Sequence, residues 1–103
     1  MSHLLVLQLQ DDSIKAFDSM IALEDHLIEH IGDAADVDGH DVGSGAINIF
    51  IFTSEPDSIF LRTKPLLQQS NLLDSIIAAH RRIESNEFTV VWAEGYTKDF
   101  KVF

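Results

Sequence analysis

The stretch AINIFIFT, residues 46–53, constrains this chain more than any other. Its β-branched and aromatic residues suit an extended, half-buried backbone. Alternation places Ile47, Ile49 and Ile51 on one face and Asn48, Phe50 and Phe52 on the other. Both faces are largely apolar, so the run reads as a central strand that must be covered on two sides. Gly43-Ser44-Gly45 stands before it, and ADVDGHDV before that. Two strand-like runs around a glycine-rich turn predict a β-hairpin.

The other elements follow from the same periodicities. HLLVLQLQ, residues 3–10, has strand length, with Leu5, Leu7 and Leu9 on one face and Leu4, Val6 and Gln8 on the other. Residues 11–32 predict a long helix. Asp11, Asp12 and Ser13 are cap candidates, Gly32 is a stop, and Ile14, Phe17, Met20, Ile21, Leu27, Ile28 and Ile31 form an apolar stripe. Residues 54–70 predict a second helix, with Pro56 in its first turn and Ile59, Phe60, Thr63, Leu66, Leu67 and Ser70 on one face. Pro65 is expected to kink or interrupt it. Residues 71–83 fit either a helix or a strand. The strand SIIAAHRRI is preferred, because Glu84-Ser85-Asn86 then makes a short connection into EFTVVWAE. KDFKVF, residues 98–103, would add a short last strand. The order is that of a single α+β domain spanning residues 1–103: a ferredoxin-like βαββα unit followed by a C-terminal β-hairpin or meander. Its sheet is antiparallel, with two helices on one face.

Two helices cover only one face of such a sheet. Leu4, Val6, Phe50 and Phe52 would leave an apolar patch of several hundred Å² on the other, joined by one set from Phe88, Val90 and Trp92. A second copy of the chain is the expected cover, giving a homodimer through this face. The rival arrangements are the last strands or C-terminus folding across it, and a ligand cavity between facing sheets.

Charge narrows the partners. Seventeen acidic residues against seven basic ones give a net charge of −10. Such a chain repels nucleic acid and anionic membranes, and the charge suits either plain solubility or a partner with a basic surface. It has no cysteine, which rules out disulfides, thiolate metal sites and cysteine nucleophiles and fits a reducing compartment. No apolar run approaches the length of a membrane span, and Met1-Ser2-His3-Leu4 has no basic leader. The expected location is the cytoplasm, and no cofactor is expected.

Several residues are candidates for chemistry. In an ideal strand Asp36, Asp38 and His40 share a face, about 6–7 Å apart in steps of two, a donor set able to hold Zn²⁺ or Mn²⁺. The competing reading is a charged edge strand that resists aggregation. His26 to His30, HLIEH, matches H-x-x-E-H, but both histidines fall opposite the apolar stripe. Glu24 falls near the middle of that stripe, where a carboxylate needs a partner: Arg62, His80, Arg81, Arg82 or Tyr96. It could serve as an acid or base or bind a ligand, or be a structural pair. Asn48, Phe50, Phe52 and Trp92 could line a ligand cleft on the second face. Of Arg81 and Arg82, which point to opposite faces, one is expected to pair with an acidic neighbour. No G-x-S-x-G, Walker, Rossmann or EF-hand pattern occurs.

The stretch VDGHDVGSGAINIFIFTSEPDSIF, with VVWAEG near the end, resembles a group of small uncharacterised bacterial proteins of the mobile-element and integron-cassette kind. Their pattern is D-G-H-x-x-G-S-G, then N-I-F-I, then T-x-x-P and a helix, with a tryptophan-containing strand at the end. The resemblance implies the same element order and a strand over residues 75–83. It departs at Ala46, where a carboxylate is expected, and at Ala93, where a proline is expected. It implies no function, although some small acidic proteins of this kind act as immunity factors. The combined expectation is a non-enzymatic, homodimeric interaction module with a basic protein partner. The alternative is a small-molecule-binding or enzymatic sandwich with a cleft on the second sheet face.

Overall fold

The structure, a computed structural model, describes residues 2–93, 95–96 and 100–102. The elements run β1 (His3–Leu9), α1 (Ile14–Ile31), a 3₁₀ turn (Gly32–Ala34), β2 (Asp36–Gly43), β3 (Ala46–Thr53), α2 (Pro56–Gln69), β4 (Ile76–Arg82) and β5 (Thr89–Trp92). All five strands join one antiparallel sheet in the order β2-β3-β1-β4-β5. This is the ferredoxin-like order with one further strand at the β4 edge. Residues 76–82 are strand, not helix. KDFKVF lies partly outside the described residues, and Phe100–Val102 form no strand.

The core lies between the sheet and the two helices. β1 is its centre: Leu7 stands opposite Ile49 of β3 and Ala78 of β4, all fully buried. The inward residues Leu5, Leu7, Leu9, Ile47, Ile49 and Ile51 meet Met20, Leu23 and Leu27 of α1 and Ile59, Phe60 and Leu67 of α2. At ~25 cal/mol per Å² of apolar surface removed from water, this layer is the main source of stability.

Local chemistry sets the helix ends. The Ser13 hydroxyl accepts a hydrogen bond from the Ala16 N–H and caps α1. Gly32, at φ 57°, ends it and donates its N–H to the Ile28 carbonyl. The buried line on α1 is Ala16, Met20, Leu23, Leu27 and Ile31. This differs from the expected stripe: Ile14 is 83% exposed and Ile28 51% exposed. Apolar character alone drew the stripe too far round the helix. Its true centre is a run spaced by three and four that includes Ala16 and Leu23. α2 also differs from expectation. It continues through Pro65, which lies on the exposed side of the helix. The Leu61 carbonyl, deprived of its usual donor, belongs to a residue 66% exposed, so water can satisfy it.

The second face of the sheet is closed at its centre by the chain itself. Val6, Gln8, Asn48 and Ala79 are buried, and Phe50 and Phe52 are half-buried. The Lys101 carbonyl accepts a hydrogen bond of 2.8 Å from Gln8 Nε2 in the middle of β1. Phe100 packs edge-on against Phe88 at 4.9 Å, and the Arg81 guanidinium lies 5.7 Å over the Phe88 ring. No second sheet faces this one among the described residues. The centre of the face is therefore shielded within the chain, while the rings of Phe50 and Phe52 stay half-buried.

Candidate functional site

β2 is the free edge on one side of the sheet, and its sequence shapes it. The hairpin closes through Ser44 and Gly45 at φ 53° and 80°, a two-residue turn of the kind whose twist suits paired strands. A bulge interrupts the ladder between Val37 and Gly39, with Gly39 at φ 135°. The extra residue, Asp38, resets the alternation. Asp36 lies opposite Phe52, Gly39 opposite Phe50 and Asp41 opposite Asn48, all on the second face. His40 lies opposite Ile49, on the helix side.

This corrects the expected metal set. Asp36 and His40 sit on opposite faces, because one inserted residue flips every later side chain. Among the described residues no group of three or more His, Asp or Glu side chains converges as a metal site does. His26 and His30 are both exposed, beside Glu29, Leu66 and Gln69 in an open groove between the helices.

His40 instead meets Glu24. Its Nδ1 lies 3.2 Å from both carboxylate oxygens, and its ring packs edge-on against Phe17 at 5.7 Å. Glu24 is thus on the flank of the buried α1 line, not at its middle, and its partner is none of the five residues expected. The carboxylate is 12% exposed and the imidazole 33%. With the imidazole a third exposed, the pair contributes about 1 kcal/mol. A double-mutant cycle on Glu24→Gln and His40→Ala is therefore expected to return a coupling of about 1 kcal/mol by urea denaturation. A coupling above about 3 kcal/mol would mark a buried ion pair instead.

The remaining candidates divide between the two faces. Asn48, Phe50 and Phe52 share the second face, as alternation predicted. Trp92 does not join them. Strict alternation would put Phe88, Val90 and Trp92 together, but β5 shifts register between Ala78 and Ala79, so Trp92 turns toward α2. There it packs on Phe60, lies under the Lys64 ammonium at 4.6 Å and donates its Nε1 hydrogen to the Leu73 carbonyl at 2.7 Å. Arg81 stays on the second face, where its Nη1 donates to the carbonyls of Arg82, Ile83 and Ser85, while Arg82 pairs with Glu84 at 3.0 Å. His80 approaches Asp57 at 3.4 Å.

The sequence reading missed Gln8. Its Nε2 donates to Asn48 Oδ1 at 2.9 Å as well as to Lys101, and its Oε1 accepts from Gln10 at 3.3 Å. Asn48 Nδ2 is fully buried and has no acceptor among the described residues. The only signal in the sequence was a lone amide in each of two apolar strands. Their register, which sets the two amides side by side, was not legible there.

A cleft of about 650 Å³ opens at the start of α1, lined by Ser13, Lys15, Ser19, Ser70, Asn71 and Ser75. None of the expected site residues reaches it. Asp11 at its edge accepts a hydrogen bond from the Ser13 N–H, which holds its carboxyl below the usual aspartate range.

The electrostatics are lopsided. Residues 16–61 contain ten carboxylates and no lysine or arginine, so this half of the chain carries the whole net charge. Asp25, Glu29 and Asp33, in α1 and the 3₁₀ turn, are exposed, as are Asp36, Asp38 and Asp41 on β2. Arg81 and Arg82 lie on β4, on the other side of β1 from β2, and Arg62 of α2 reaches the His30 carbonyl near the end of α1. No helix is long and apolar enough to cross a membrane among the described residues. Comparison with protein-family models, curated proteins and solved structures found no match, so the residues themselves carry the functional reading.

Proposed function

We propose that this protein is a binding module that docks a partner with a basic surface, using the acidic side formed by α1 and β2. One observation carries the reading: α1, the 3₁₀ turn and β2 hold eight carboxylates against a single lysine or arginine, Lys15 at the start of α1. A charge needed only for solubility has no reason to gather on one side. A concentrated field raises the encounter rate with a basic partner and orients it. β2 also supplies an open strand edge, bulged and lined with aspartates, which resists pairing with another uncharged edge.

The test separates where the charge lies from how much of it there is. The triple variant Asp36→Asn/Asp38→Asn/Asp41→Asn and the control Asp74→Asn/Glu84→Gln/Glu87→Gln change net charge equally. Binding of a lysine-rich model peptide is followed by calorimetry at several salt concentrations. The β2 variant is expected to lose about tenfold in affinity, or ~1.4 kcal/mol, and to flatten the salt dependence, while the control loses about threefold or less. Equal losses would show that only total charge matters and would remove the localised surface.

A further inference from the structure

We infer that the second sheet face is a seat for an extended basic–aromatic segment of the partner, which residues 100–102 of the chain's own C-terminal region occupy as an internal stand-in. This rests on the acidic-surface reading above and says which part of the partner is held, and where.

The buried amide of Asn48 is the first support. Gln8 and Asn48 are direct cross-strand neighbours at the centre of the face. Gln8 uses its two Nε2 hydrogens on Asn48 Oδ1 and the Lys101 carbonyl. Asn48 Nδ2 retains two hydrogens, buried, with no acceptor among the described residues. Such groups are rare in folded proteins. The pair is therefore a two-donor reader of carbonyl oxygens, and the chain's own segment fills only half of it.

The rim gives the second support. Asp36 lies opposite Phe52 and Asp41 opposite Asn48, so exposed carboxylates border the half-buried rings of Phe50 and Phe52 on the β2 side. Along β3 the face runs from the Gln8–Asn48 amides, beside Asp41, to the rings of Phe50 and Phe52, beside Asp36, so a segment lying along it meets amide donors, aromatic surface and negative charge. The present occupant has the matching composition: Phe100, Lys101 and Val102 combine an aromatic, a cation and an aliphatic residue. A partner segment of the same chemistry that also offers a carbonyl to Asn48 is a better occupant than the one now there.

The experiment uses the full ¹⁵N-labelled chain and a capped synthetic peptide with the sequence of residues 95–103. A tethered segment competes at an effective concentration in the millimolar range, so the peptide is titrated to several millimolar. The expected result is movement of the Gln8 and Asn48 side-chain amide signals, with the Lys101 and Val102 backbone amides moving to free-chain positions. Asn48→Leu should weaken binding at least tenfold and Asp36→Asn/Asp41→Asn about threefold. Shifts confined to the outer residues of α1 and β2 would overturn the seat and leave the acidic surface standing. So would the absence of any shift while the lysine-rich peptide still binds. Failure of both peptides to bind would overturn the acidic-surface reading and this inference together.

Discussion

Trp92→Ala is expected to lower the unfolding free energy by about 3 kcal/mol, a fall in Tm of roughly 10–20 °C for a domain of this size. β5 has only four residues and pairs on one side, so its ladder alone holds it weakly. The indole is its anchor. Truncation removes the contact with Phe60, exposes apolar surface beneath the ring and leaves the Leu73 carbonyl without its donor. Trp92→Phe should recover most of the packing but not the hydrogen bond, leaving a deficit of about 1 kcal/mol. Urea denaturation of both variants checks this. A loss below about 1 kcal/mol for Trp92→Ala would mean that β5 is held by something else, and would reopen a binding role for the ring.

The amide pair gives the second large effect, and its two halves differ in size. Gln8→Leu is expected to destabilise by about 2–3 kcal/mol. It leaves Asn48 Oδ1 without its donor, removes the donor to the Lys101 carbonyl and removes the acceptor used by Gln10. Asn48→Leu is expected to change stability by less than about 1 kcal/mol. It deletes a buried donor that has no acceptor among the described residues and adds apolar contact, but it takes the acceptor from one Gln8 Nε2 hydrogen while leaving the other on Lys101. Thermal and urea melts of the two single variants, at one pH and salt, provide the comparison. If Asn48→Leu were less stable than the parent by more than about 3 kcal/mol, the lost Gln8 bond would not account for it, its Nδ2 would have to be partnered, and the argument for a half-filled seat would fail with it. An Asn48→Leu change that is nearly neutral in stability yet weakens peptide binding is the pattern expected of a residue kept for binding.

The element order was legible because each segment carries its own period. AINIFIFT and HLLVLQLQ alternate, residues 14–31 repeat at helical spacing, and Ser13, Gly32, Gly45 and Pro56 mark boundaries where their backbone and capping chemistry requires. The split of Ile47, Ile49 and Ile51 from Asn48, Phe50 and Phe52 followed from alternation alone, and the register agrees with it. Residues 76–82 were ambiguous because a short apolar run fits both periods. The short connection to the next run favoured the strand, and the strand is present.

The candidate site was legible only in part, because it depends on side chains distant in sequence. Gln8 and Asn48 are 40 residues apart, and Gln8 and Lys101 are 93 apart. Local pattern holds no information on such pairs. Two irregularities decided the rest. The bulge in β2 sent His40 to Glu24 and parted it from Asp36, and the register shift in β5 turned Trp92 away from Asn48. A single inserted residue does not disturb composition or hydropathy, yet it reverses the face of every side chain beyond it. Sequence alone therefore determined the kinds of element, their order and the uneven charge, since each is a property of contiguous residues. Tertiary structure decided which groups meet, because that depends on strand register and on how the C-terminal segment crosses the sheet, set by packing and hydrogen bonding across the whole fold.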